Sequence, residues 1–137
     1  KVATVASIIA KDKKIRKLVH AFQIECAYNP PKKYDGSCLD GRDCGSVVVK
    51  RADVKFYITA SLKVRARRRY KELKAKNKKI TYKEVLKSIR KRDKSDKNRK
   101  ISPLKKTKDM VLLNSSSESI SSCFIKIKKI IDRKINN

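Results

Sequence analysis

Arg92-Asp93-Lys94-Ser95-Asp96-Lys97-Asn98-Arg99-Lys100-Ile101-Ser102-Pro103-Leu104 carries the reading of this chain. Taken as a helix closed off before Pro103, it sets Arg92, Asp96 and Arg99 at i, i+4 and i+7, so two guanidinium forks and one carboxylate share a face. Such a face can hold a polar anion. Arginine offers planar bidentate donors to phosphate, and the carboxylate accepts from a sugar hydroxyl or a base amine while keeping both arginines oriented. Spacing alone leaves a plainer alternative open, a solvated ion pair on a very basic helix.

Upstream, the periodicity describes an α/β unit. Ile15, Leu18, Val19, Phe22 and Cys26 recur as the stripe of an amphipathic helix that buries one side. Ser37 to Asp40 reads as a short buried strand, and Gly36, Gly41 and Gly45 concentrate backbone freedom around it. Val54 to Thr59 alternates as a second strand, followed by a helix from Leu62 to about Lys76. Thr81 with Glu84 three residues on is a capping box that opens the next helix. Downstream of Pro103, Met110 to Leu113 is a short apolar strand. The serine cluster around Ser116 then caps a last helix striped by Ile120, Phe124, Ile127, Ile131 and Ile135. This order predicts a parallel sheet flanked by helices, with residues 1–137 forming a single domain.

Composition bounds the partners. The formal charge of +26 attracts polyanions and opens the alternative of a basic nucleic-acid-binding module. Yet 28 of the 39 basic residues are lysines scattered along the whole length, and no tryptophan is available to stack bases. Asp43 and Asp96 also sit among the arginines, where a phosphate-backbone binder has little use for carboxylates. No specific nucleic-acid partner is therefore expected. Cys26, Cys38, Cys44 and Cys123 contain no Cys-x-x-Cys pair, and His20 has no second imidazole, so no protein-held metal is expected. His20 reads as a packed or solvent-edge residue of the first helix. The thiols fit a reducing compartment, and no run approaches the roughly 20 apolar residues needed to span a bilayer. A cytoplasmic protein without a membrane partner is the expectation. The chain begins with lysine where an initiator methionine is expected, which implies a segment upstream.

Leu39-Asp40-Gly41-Arg42-Asp43-Cys44-Gly45, running into Val47-Val48-Val49, is the second informative motif. With Asn29-Pro30-Pro31, Asp35-Gly36, Ala52-Asp53-Val54-Lys55, Arg65-Ala66-Arg67-Arg68-Arg69 and the Arg92 to Leu104 segment, in this order and spacing, it resembles the cytidylate kinase family. The resemblance runs from about Ala6 to the C-terminus.

That resemblance implies phosphoryl transfer from ATP to CMP or dCMP on a fold like that of other P-loop nucleoside monophosphate kinases, by a monomer. Matched motif to motif, it assigns Ser7 and Asp96 to the cytosine or sugar, Asp43 to base and ribose, and Arg16, Arg92 and Arg99 to base and phosphate. It also implies that Arg65, Arg68 and Arg69 belong to a lid over the ATP phosphates, serving both catalysis and ATP binding. At i, i+3 and i+4 of a helix, these three can point into one cleft. Magnesium would be held mainly by ATP and water, with Asp40 orienting it through water. Residues 62–100 then form the lid and acceptor-arginine region, and 110–137 the C-terminal strand and helix.

The sequence also departs from the family. A loop of the form G-x-x-x-x-G-K-[ST] cannot be built from three glycines lying between residues 36 and 45. The chain is thus expected to be a C-terminal portion of such a kinase, keeping much of the acceptor pocket without the donor loop and inactive alone. Ile24 stands where the family commonly carries arginine, which removes a charge near the site. Cys44 and Ser46 replace the usual isoleucine and threonine, and Lys50-Arg51 replaces a proline-containing turn.

Overall fold

The computed structural model describes residues 9, 12–76 and 79–136. The chain divides into two compact units: Lys1–Ala52 with Ser95–Thr107, and Asp53–Lys94 with Lys108–Asn137. The division falls inside one helix.

In the first unit, helix α1 spans Lys13–Tyr28. Asp12 caps it, its carboxylate accepting from the backbone N–H of Lys14 at 2.8 Å and Ile15 at 3.1 Å. The expected burial of one side of this helix does not extend along it. Leu18 is 76 % and Phe22 70 % exposed, and no residue of α1 is buried. Its partners in this unit explain why: only Ile24 and Ala27, near its C-terminal end, reach the small core of Cys44, Val48 and Val49, which Leu39 and Ala52 complete. Ser37 to Asp40 is not a strand. It runs as irregular chain, tied to the end of α1 by the Ser37 hydroxyl donating to the Ala27 carbonyl at 2.7 Å. The core segment itself is a π-helical turn, Cys44–Val48.

The second unit holds the sheet. β1 (Phe56–Thr59) and β2 (Val111–Asn114) form a two-stranded parallel ladder in the register Phe56 to Val111 through Thr59 to Asn114. Both begin within two residues of the predicted starts. Further bonds extend the ladder at both ends, from Val111 N–H to Lys55 O and from Ser115 N–H to Thr59 O, each 2.8 Å. A parallel pair requires a long crossover, and two helices lie within it, α2 (Leu62–Lys76) and α3 (Tyr82–Asn98). Tyr70 of α2 meets Tyr82 of α3 edge to face, with ring centroids 6.0 Å apart. α4 (Ile120–Ile135) follows β2, capped by Ser119 of the serine cluster. Its predicted apolar stripe is only partly covered: Ile127 and Ile131 are half-buried, whereas Ile120 and Phe124 are exposed. The fold class is therefore mixed α/β, two parallel strands with helices.

The capping box forms as the sequence predicts. Thr81 N–H and Oγ1 both donate to Glu84 Oε2, at 2.8 and 2.7 Å, and Glu84 N–H returns a 3.3 Å bond to Thr81 Oγ1. The Thr81 hydroxyl, and after it the Thr81 backbone N–H, hold the Glu84 carboxyl below the usual range. A depressed folded-state value means that this stabilisation is complete above about pH 4.3, the unfolded value, and is lost as pH falls through the lower folded one. Glu84→Gln is expected to remove that acid-side loss, read as hydrogen exchange of amides in the first turn of α3. An unchanged acid-side profile in the variant would contradict the assignment.

Candidate functional site

Asp43 is fixed through its backbone. Its carbonyl accepts from Val47 N–H at 2.8 Å and Val48 N–H at 3.3 Å, so it anchors the π-helical turn, and Val49 N–H closes the turn on Cys44 O at 2.8 Å. Such turns are uncommon and concentrate at functional sites. A Cβ on Gly41 would lie 2.6 Å from the Cys44 sulfur, so any larger residue there would force the buried Cys44 side chain to shift. Cys44 is buried, and burial first, then the negative charges of Asp43 and Asp40, push its thiol pKa up. It is a packing residue, not a nucleophile.

The Asp43 side chain faces two arginines from distant parts of the sequence. Arg16 Nη2, on α1, donates to Asp43 Oδ2. Arg99 Nη2 stands 3.7 Å from Asp43 Oδ1, with the Arg99 side chain only 6 % exposed. Ser102 joins the two arginines from another side: its hydroxyl accepts from Arg16 Nη2 at 2.7 Å, and its carbonyl accepts from Arg99 Nε at 2.6 Å. Ser102 is the one non-glycine among the described residues with positive φ, 49°. A conformation of this kind costs on the order of 1–3 kcal/mol and persists only where the surroundings enforce it. Arg99 Nη2 is buried and makes no hydrogen bond. A buried guanidinium nitrogen in that state retains donor capacity for an anionic oxygen.

Asp96 lies in the last turn of α3 and is 2 % exposed. Arg42 Nε approaches its Oδ2 to 3.2 Å. Arg42 is the residue that sequence reasoning missed. The signal was present in the adjacent pair Arg42-Asp43 beside Gly41: one residue of the pair meets Asp96, the other meets Arg16 and Arg99. A buried carboxylate this deep needs a cation nearby. The first unit thus brings together Arg16, Asp43 and Arg99, and pairs Asp96 with Arg42. Arg92 is exposed and belongs to the second unit, and Ser7 lies outside the described residues.

Arg65, Arg68 and Arg69, expected to form a lid, do not converge on one cleft. Arg65 forms a bidentate pair with Asp93 of α3, at 2.9 and 2.7 Å, and donates from Nε to Ala60 O at 2.9 Å. Arg68 donates to Ser115 Oγ at 3.1 Å and to the carbonyls of Ser115 at 2.6 Å and Glu118 at 3.3 Å. Arg69 reaches Glu72 at 2.6 Å on its own helix. Their spacing fixes where the Cβ atoms sit, but the long side chains turn to whichever acceptors flank the helix. The mutual geometry that the sequence predicted is thus replaced by three separate anchorings.

Among the described residues no group of three or more His, Cys, Asp or Glu side chains is placed to hold a metal ion, and His20 is exposed. Asp40 is exposed, and its charge reaches the Cys44 thiol. One accessible carboxylate fits magnesium, which keeps several waters and binds through one or two carboxylates plus substrate phosphates. A depression of about 450 Å³ in the first unit is lined by Tyr28, Val47, Val48, Lys50 and Arg51. None of the candidate residues lines it. The chemistry points to the arginine cluster instead, because hydrogen-bonded charge and a strained backbone coincide there.

The cytidylate kinase family model matches residues 1–133. A cytidylate kinase of Clostridium botulinum (strain Okra / Type B1) is 46 % identical over 115 residues, covering 84 % of this chain and 52 % of the relative. One from Clostridium tetani (strain Massachusetts / E88) is 48 % identical over 97 residues, covering 71 % of this chain and 43 % of the relative. One from Thermosipho melanesiensis is 40 % identical over 129 residues, covering 94 % and 57 %. The chain spans about half the length of the curated relatives it matches.

Removing the Asp43 carboxylate leaves two largely buried guanidinium groups facing one another. Asp43→Ala is expected to destabilise the chain by about 3 kcal/mol, as breaking a buried ion pair does. Arg69→Ala, which removes an exposed ion pair with Glu72, is expected to cost less than about 1 kcal/mol. Urea unfolding followed by circular dichroism checks both, and equal losses would contradict the central place given to Asp43.

Proposed function

The chain belongs to the cytidylate kinase family, and from that premise we propose that it carries the acceptor side of a nucleoside monophosphate kinase. In this reading it holds CMP or dCMP while the γ-phosphoryl group of ATP passes to an oxygen of the acceptor phosphate, giving CDP or dCDP and ADP. The observation that carries the proposal is the pairing of Arg16 and Arg99 on the Asp43 carboxylate, in residues that match the family's order of motifs.

Little covalent work falls to the protein in such a transfer; positioning and charge neutralisation supply most of the acceleration. Arg16 and Arg99 bind base and phosphate, with Arg92 added by resemblance alone. Asp43 orients both arginines and meets base and ribose, and Asp96 and Ser7 meet the cytosine or sugar. Arg42, through Asp96, belongs to the same machinery. A site that hydrogen-bonds the cytosine edge rejects other bases because the wrong edge leaves buried groups unpaired. Arg65, Arg68 and Arg69 face the ATP phosphates once released from their present partners, and an arginine at a transferring phosphoryl group is worth about 10³ to 10⁵ in rate in related chemistry. Magnesium, when bound with ATP, supplies charge neutralisation at the phosphates, and Asp40 is the carboxylate suited to orient it through water. Residues 1–137 form one partial kinase domain in this reading, its parallel ladder being part of a P-loop-kinase sheet.

Without a glycine-rich donor loop in these 137 residues, a coupled assay with ATP and CMP is expected to register no turnover. Calorimetry is expected to show weak, saturable CMP binding that Arg99→Ala or Asp96→Ala weakens by about tenfold, the scale of a lost charge-assisted hydrogen bond. Robust turnover would refute the expected inactivity. Tighter binding of a long oligonucleotide than of CMP, with a steep salt dependence, would refute the acceptor assignment and favour a nucleic-acid module.

A further inference from the structure

Asp43 joins Arg16 and Arg99 through its carboxylate, and nothing in the family pattern described above says what fixes the angle between the two guanidinium planes. Ser102 makes a second bridge between the same pair. Its hydroxyl takes Arg16 Nη2 at 2.7 Å and its carbonyl takes Arg99 Nε at 2.6 Å. Arg16, Asp43, Arg99 and Ser102 therefore close a ring of four residues, in which Arg16 shares its Nη2 between Asp43 and Ser102, and Arg99 gives Nε to Ser102 with its Nη2 3.7 Å from Asp43. A second acceptor restricts how a guanidinium plane can turn, and the plane decides whether both donors of the fork meet a phosphate.

The ring requires an unusual backbone. Left-handed φ is uncommon for a residue with a Cβ, and a residue that precedes proline is pushed toward extended conformations. Ser102 holds φ 49° immediately before Pro103. Two carriers of positive charge hold it there, and Leu104 N–H, bonded to Asp96 O at 2.8 Å, pins the chain beyond it. Such an outlier, with both of its polar groups turned onto candidate site arginines, is a reason to look for function at that residue.

We propose that Ser102 is a positioning residue of the acceptor site: its hydroxyl orients Arg16 and its carbonyl, presented by the left-handed backbone, orients Arg99. The proposal rests on the acceptor-site reading. It predicts a division of labour that a merely structural serine would not show. Ser102→Ala removes the bond to Arg16 and leaves the carbonyl for Arg99. Ser102→Gly removes the same hydroxyl and relieves the backbone cost.

The test is a double-mutant cycle in the full chain, with CMP affinity measured calorimetrically for wild type, Ser102→Ala, Arg16→Met and the double variant. Ser102→Ala is expected to weaken CMP binding by about three- to tenfold, the scale of one hydrogen bond to a charged group. In the Arg16→Met background the same change should have no further effect. Fully additive losses would overturn the proposal. A second measurement reads the free chain: guanidinium ¹⁵N–H signals of Arg16 and Arg99, followed by hydrogen exchange. Ser102→Ala and Ser102→Gly should speed exchange at Arg16 Nη while leaving Arg99 Nε protected, and unchanged Arg16 exchange would overturn the proposal even if binding fell. Should the wild-type chain bind no CMP, the acceptor-site reading fails, and the orienting role then stands or falls on the exchange data alone.

Discussion

A single carboxylate, that of Asp43, sits between two guanidinium groups supplied from residues 27 and 56 positions away, Arg16 ahead of it and Arg99 behind. In a chain with 39 basic and 13 acidic residues, placing two largely buried cations together is costly unless an anion lies between them. The Asp43 loop is built for that task. Gly41 gives way to the Cys44 sulfur, Cys44 enters the small core, and the π-helical turn grips the Asp43 carbonyl so that its side chain is left to face the arginines. Asp96 repeats the device beside it with Arg42. Few acids are available, and these two are set among arginines that share one unit.

Arg65, Arg68 and Arg69 of the second unit are anchored one by one. Arg65 and Arg68 are tied to a carboxylate and to backbone carbonyls, and Arg69 to an exposed glutamate. In the proposed reading, the phosphates of ATP displace those bonds. Arginine suits such an exchange, because its charge persists and its fork accepts carbonyl, carboxylate or phosphate oxygens in turn. The first unit therefore gathers two arginines on one carboxylate, whereas Arg65, Arg68 and Arg69 of the second each have separate partners.

Local chemistry was legible in the sequence. The capping box at Thr81 and Glu84 and the last helix with its serine cap follow from spacing because each depends on neighbours a few residues away, and the strands at Phe56 and Val111 follow from their alternating or apolar composition although the ladder joins distant segments. The expectations that failed depended on distant partners. Ser37 to Asp40 has the composition of a strand, but strand formation needs a ladder neighbour, and Ser37 instead turns to the end of α1. The stripe at Leu18 and Phe22 predicted burial that the first unit's small core does not supply. In the site, Asp43, Arg16 and Arg99 were named by motif order, whereas the role of Arg42 and the two-sided bridge of Ser102 were not. No periodicity encodes a contact across 86 positions of sequence, such as Arg16 to Ser102. The one local hint was a serine before a proline at the end of a helix, where backbone preferences conflict.

The most direct measurement is a titration of the ¹⁵N-labelled chain with CMP, followed by amide and arginine side-chain chemical shifts. Saturable shifts concentrated at Arg16, Asp43, Asp96, Arg99 and the Ser102 turn are expected. Shifts spread over the lysine-rich faces of α2 and α4, or no saturable shifts at any CMP concentration, would contradict the acceptor-site reading.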